Sequence, residues 1–160
     1  MDVSSFGIDH DRLLRGVYVS RLDEVGGGFV TTFDIRMKEP NRCPVIDNPA
    51  MHTLEHLIAM YYRSSPEWDS RTVYIGPMGC RTGMYFLFKG DLQPGDVLDG
   101  VRAAFAHVAA FQGEIPAAKP KMCGNYLDHN LEMARYEARE FLELLNDLKP
   151  ENTEYPKTDY

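Results

Sequence analysis

Along residues 16–39, GVYVSRLDEVGGGFVTTFDIRMKE, two β-rich runs flank Gly26, Gly27 and Gly28. Glycine enters a positive-φ turn without steric penalty, so the stretch is predicted to be an antiparallel hairpin. The period then changes. After the Pro-rich loop PNRCPVIDNP, the residues Met51, Leu54, Leu57, Ile58 and Tyr61 recur three and four apart, which predicts a helix over 48–64 with Pro49 in its first turn. RTVYIGPMGCRTGMYFLFKG reads as strand, Gly/Pro loop and strand, with Cys80 in the tight connection. An Ala-rich helix is predicted from about Pro94 to Gln112, closing at Gly113. EIPAAKPKMCGNY follows as a loop, and a charged amphipathic helix runs from about Asn130 to Leu148. The polar end, KPENTEYPKTDY, is expected to fray or lie on the surface. A hairpin followed by helices interleaved with further strands points to an α+β domain, an antiparallel sheet with helices packed on one face.

With 160 residues, the chain fits one domain over 1–160 with a polar tail from about 149. Its net charge of −7 opposes a nucleic-acid role, because a phosphate-binding surface needs concentrated Lys and Arg. The start, MDVSSFGIDHDRLL, has no apolar segment of signal-peptide length, and no later run suits a membrane span. The expectation is a soluble cytoplasmic protein. Three cysteines in a reducing compartment read as thiols for chemistry or metal rather than as a disulfide framework.

The run MHTLEHLIAM sets His52 and His56 four apart on the predicted helix, where both imidazoles can face one cation. Glu55 flanks the pair. The order His-x-x-Glu-His is the inverted form of a zinc-protease motif, and taken alone it does not separate a metal pair from a solvated helix face. A third ligand decides the matter, and three ligands leave a coordination position open. Cys123, beside Gly124 in the loop KMCGNY, is preferred as that ligand; His129 is the alternative, or a group supporting the ligands from behind. His107 reads as a packed or capping histidine, and Cys43 as a small buried apolar side chain. Cys80, in PMGCRTG, reads either as a small residue fitting a tight loop or as a reactive thiolate favoured by the nearby Arg81.

In order and spacing, SFGIDH, FDIR, PN, HTLEH, PMGCRTG, IPAA and CGNY resemble the S-ribosylhomocysteine lyase family, the LuxS family of autoinducer 2 synthases, from about Ser5 to the last helix. The resemblance implies that His52, His56 and Cys123 hold the metal and that Glu55 and Cys80 carry protons. It implies Ser5, His10, Asp34, Arg36 and Arg63 as substrate-binding residues, and a homodimer with active sites at the subunit interface, Ser5 and His10 reaching the partner's site. The chain departs from relatives at two places. Relatives usually carry an acidic residue, Ile and Ser where this chain has Tyr74, Ile75 and Gly76, and Ala-Pro-Tyr-Val-Arg where this chain has GVYVS.

The implied reaction cleaves the thioether of S-ribosylhomocysteine to homocysteine and 4,5-dihydroxy-2,3-pentanedione, the autoinducer 2 precursor. The leaving group is unactivated, so the ribose carbonyl must first walk from C1 to C2 to C3. The C4 proton is then acidic and sulfur lies β to the enolate. Each step needs a proton carrier and an electrophile at oxygen. One divalent metal per subunit suits the electrophilic role, with Fe(II) favoured by the resemblance and Zn(II) or Co(II) compatible with the donors. Two competing classes share features of this sequence: an inverted-motif (HxxEH) zinc metallopeptidase and a zinc-stabilised binding module.

Overall fold

A computed structural model describes residues 7–156 of the chain. The hairpin forms as expected: β1 (Gly16–Val25) and β2 (Gly28–Arg36) pair antiparallel through a turn in which Gly26 and Gly27 have φ of 58° and 79°. A bulge between Val19 and Arg21 shifts the register, with Ser20 as the extra residue. β3 (Thr72–Pro77) and β4 (Gly83–Lys89) complete a four-stranded antiparallel sheet in the order β1-β2-β4-β3.

Strand alternation separates the two sheet faces. Val17, Phe33, Ile35, Met84, Phe86 and Phe88 point into the core, each worth roughly 1.5–3 kcal/mol when fully buried. Against them pack α1 (Asn48–Ser64), α2 (Pro94–Ala110) and α3 (Leu131–Leu145). The class is α+β, as the pattern implied. Asp47 caps α1 by accepting from Ala50 N at 2.7 Å, and Pro49 occupies the first turn. Met51, Leu54, Leu57, Ile58 and Tyr62 bury one side of α1, leaving His52, Glu55 and His56 on the other. At the α2 interface, Gly100 lets the Trp68 ring approach to within about 3 Å of where a Cβ would stand.

Two helices are shorter than the sequence suggested. α2 stops at Ala110, because Phe111 turns to extended backbone before Gly113, whose φ is 107°. α3 stops at Leu145, with Asn146 and Asp147 forming a turn instead of continuing the helix. Cys43, expected to be buried, is exposed; its thiol donates to Glu39 O at 3.4 Å within a polar loop that offers no core to enter.

The described part of the tail does not fray. A 3₁₀ turn (Pro150–Asn152) lies against β1; Asn152 is buried and its amide donates to Arg15 O at 2.8 Å. The carbonyl of Asn152 passes so close to Gly16 that any Cβ there would collide with it. Among the described residues no helix is long and apolar enough to cross a membrane.

Candidate metal centre

The exposed side of α1 meets the loop over residues 111–130, and this meeting builds a four-donor group. His52 Nδ1 lies 2.9 Å from Asp128 O and His56 Nδ1 lies 2.7 Å from Pro116 O. A carbonyl only accepts, so both Nδ1 atoms carry their protons and both Nε2 atoms present lone pairs. The two rings stand at 85° with centroids 4.7 Å apart. The loop carries Cys123 back to them: Met122 N and Cys123 N both donate to Lys119 O, and Cys123 Sγ lies 3.3 Å from His52 Nε2.

His129 joins the group, a placement the sequence allowed as the alternative to Cys123. Its ring stacks on His52 with centroids 4.1 Å apart, and its Nδ1 lies 3.0 Å from Thr53 Oγ1. Thr53 donates its one hydroxyl proton to Pro49 O, so His129 must donate from Nδ1 and keep a lone pair on Nε2. That Nε2 is buried and has no hydrogen-bond partner. Burial and the neighbouring His52 and His56 push the basicity of His129 below that of ordinary imidazole, which keeps the ring neutral.

The donor atoms of His52, His56, Cys123 and His129 all lie within 4.8 Å of one another. Ligands at 2.0–2.3 Å from a tetrahedral cation stand about 3.3–3.8 Å apart, so the cluster is close to metal-binding spacing. Nitrogen donors with one sulfur fit a borderline-soft divalent cation. The orphaned Nε2 of His129 is a second sign that the group is built around something electropositive.

Glu55 stands where two cavities meet. One, of ≈430 Å³, is lined by His52, Glu55, Met78, Gly79, Arg81 and Asp128. The other, of ≈440 Å³, is lined by Glu55, His56, Arg63, Pro116 and Cys123 among others. Arg63 is held at the rim of the second, donating to Thr72 O at 2.8 Å and Val73 O at 3.2 Å.

Cys80 belongs to a different group of side chains. Its turn lines the first cavity, yet its sulfur is hydrogen-bonded to Thr82 Oγ1 at 3.1 Å and lies 3.9 Å from an Arg36 nitrogen. Arg36 also donates to Thr82 Oγ1 at 2.6 Å, which leaves the threonine proton free to point at sulfur. Burial pushes the thiol up, but the Thr82 hydrogen bonds and the Arg36 charge outweigh it, and the net shift is downward. The cation at work is Arg36; Arg81, named from sequence, turns its guanidinium toward Ile46 O at 3.4 Å.

Asp34 and Arg36, expected to hold substrate, are 1% and 3% exposed and form a bidentate pair at 2.6 and 3.1 Å. Neither is open to a solute in this conformation. His10 hydrogen-bonds Ile8 O through Nδ1 at 2.8 Å, apart from the four-donor group, and Ser5 lies outside the described residues. His107 is exposed, its ring near Tyr61 and Phe111. The Tyr74 ring lies over Gly76, its hydroxyl where a Cβ on residue 76 would have to stand, so this placement of Tyr74 requires glycine at 76.

Known proteins resemble this chain over nearly its whole length. The model of the S-ribosylhomocysteinase (LuxS) family matches residues 3–152. An S-ribosylhomocysteine lyase of Phocaeicola vulgatus is 56% identical over 155 residues, covering 96% of both chains. One from Porphyromonas gingivalis is 52% identical over 96% of this chain and 98% of its own. One from Borreliella burgdorferi is 47% identical over 154 residues, with the same coverage.

Proposed function

The chain belongs to the S-ribosylhomocysteinase (LuxS) family, and we propose on that premise that it is a metal-dependent carbon–sulfur lyase that cleaves S-ribosylhomocysteine to homocysteine and 4,5-dihydroxy-2,3-pentanedione. The observation that carries the reading at the level of chemistry is the convergence of His52, His56 and Cys123 from two distant segments, with Glu55 beside them. These three residues hold the cation in this reading, and Thr53 fixes His129 against them. A divalent cation bound there supplies Lewis acidity toward the sugar oxygens. Fe(II) is the proposed native metal, with Zn(II) or Co(II) as replacements the same donors accept.

Glu55 takes a proton from the carbon α to the carbonyl and returns it to the neighbouring position, first moving the carbonyl from C1 to C2, then from C2 to C3. The Cys80 thiolate is the second carrier. Removal of the C4 proton then expels homocysteine thiolate from C5, and the proton taken from carbon balances the charge of the leaving sulfur. Each transfer is of the kind a positioned side chain accelerates by about 10²–10⁴. Arg63, at the rim of the second cavity, and Ser5 and His10 are assigned to holding substrate.

The reading also includes a homodimer with its active sites at the subunit interface. The dimer is what the family resemblance implies; on the single chain the Cys80 sulfur is exposed and bonded to Thr82, 3.9 Å from Arg36. Its three thiols fit a reducing, cytoplasmic compartment. The product is proposed to serve in autoinducer synthesis and quorum sensing. Release of free thiol from S-ribosylhomocysteine by the metal-loaded protein tests the reading, and loss of that release in Glu55→Gln ties it to this site. A metallopeptidase would cleave peptide and leave no thiol.

A further inference from the structure

The Asp34–Arg36 pair is a buried charge pair on the sheet face opposite the helical core. Such a pair stands only when its lone pairs and protons are satisfied, because removing one partner leaves an uncompensated buried charge. Arg36 satisfies Asp34 Oδ1 through Nε and Oδ2 through one terminal nitrogen. The third donor comes from the tail: the Tyr155 hydroxyl donates to Asp34 Oδ2 at 2.8 Å. The tail is seated for this contact. The Tyr155 ring stacks on buried Tyr18 at 4.7 Å with planes 8° apart, the Tyr18 hydroxyl reaches Glu151 O at 3.2 Å, and Asn152 lies over Gly16. A hydrogen bond from Ser20 also reaches Tyr155. Gly16 and Ser20 of β1 thus lie beneath the tail.

We propose that Tyr155 is a positioning residue for Cys80: its hydroxyl fixes Asp34, Asp34 holds Arg36 by two nitrogens, and the remaining Arg36 nitrogen stays turned toward Thr82 and the Cys80 sulfur. The sense of every bond in the chain is determined. Tyr155 donates to Asp34, Arg36 to Asp34 and Thr82, and Thr82 to sulfur, so the series ends with a donor aimed at a thiolate. Tyr155 also withdraws part of the Asp34 charge, which opposes that thiolate. Burial and Asp34 push the Tyr155 phenol well above the ordinary range, so it remains a donor at any working pH. The titratable groups facing this site are Tyr18 from β1, Asp34 and Arg36 from β2, Tyr85 from β4 and Tyr155 from the tail, with Glu39 and Glu151 acting on Tyr18.

The consequence for turnover rests on Cys80 being a proton carrier; the positioning itself does not, and one experiment separates them. Metal-loaded Cys43→Ser protein, in which Cys123 is held by the cation, is alkylated with iodoacetamide across a pH series, with and without Tyr155→Phe. The phenylalanine keeps the stack on Tyr18 and removes only the donor. The midpoint of Cys80 alkylation rises by about half a pH unit, a roughly threefold slower reaction at neutral pH, and kcat falls by about the same factor with KM unchanged. A chain ending at Asn152, which retains the 3₁₀ turn, shifts the midpoint in the same direction. An unmoved midpoint in both variants overturns the proposal. A raised midpoint with unaltered turnover upholds it and counts against Cys80 as a proton carrier.

Discussion

The sulfur of Cys123 lies 3.3 Å from Nε2 of His52, although 71 positions separate them in the chain. Two donors brought that close, each with a free lone pair, repel one another unless a proton or a cation stands between them. In the proposed reading a cation takes that place, and Cys123→Ala removes one of its ligands. We expect bound metal, measured by elemental analysis after desalting, to fall well below one per chain, since the cluster loses its one sulfur donor and keeps only the nitrogens of His52, His56 and His129. A normal metal content would exclude Cys123 as a ligand.

Glu55 sits between the two histidines on α1 but is turned toward both cavities. Glu55→Gln keeps shape and metal and removes the base. The expected loss in kcat is about 10²–10⁴, with KM changed little. A variant that loses metal together with activity would instead make Glu55 part of the binding group.

Cys80 should react as a thiolate at lower pH than a free cysteine, whose pKa is about 8.5. The sign follows from the net downward shift: at any pH below the ordinary thiol range more of the sulfur is ionised, so alkylation starts earlier as pH rises. Thr82→Val removes the hydroxyl that donates to sulfur and should raise the alkylation midpoint by about one unit. Cys80→Ala should keep metal and melting temperature while losing thiol release. Full activity in that variant would end its catalytic assignment.

Removing the metal should silence the protein without unfolding it. The sheet and helices have their own apolar core, whereas the loop over residues 111–130 reaches α1 largely through the donor group. Hydrogen exchange with and without chelator should quicken in that loop and leave β2 and β4 unchanged. Global unfolding on chelation would fit a zinc-stabilised module instead.

Gly100→Ala places a methyl against the Trp68 ring, whose nearest atom lies 2.8 Å from the Cβ position. Overpacking of this kind costs about 1–3 kcal/mol, read as a lowered denaturant midpoint with an unchanged slope. A neutral result would mean that α2 slides without cost.

The period of the sequence carried the sheet, the helices and the two histidines, because side-chain alternation and helical spacing are local properties. His52 and His56 share one side of a helix whatever the rest of the chain does. Cys123 needed chemistry as well as pattern, and His129 was legible only as its rival; that both converge on α1 depends on loop turns that no periodicity records. The pairing of Cys80 with Arg36 instead of Arg81 was not legible, since it depends on β2 and β4 lying side by side. Least visible was the tail. A polar segment reads as solvent-exposed, yet Asn152 and Tyr155 find partners on β1 and β2 that are distant in sequence and themselves polar.

Free thiol and dicarbonyl product, followed together from S-ribosylhomocysteine and metal-loaded protein, test the lyase assignment most directly. The two should appear in equal amounts, and both should be lost in Glu55→Gln and Cys80→Ala, each with its metal retained. Metal-loaded, folded protein that releases no thiol, or releases it undiminished in both variants, would contradict the account.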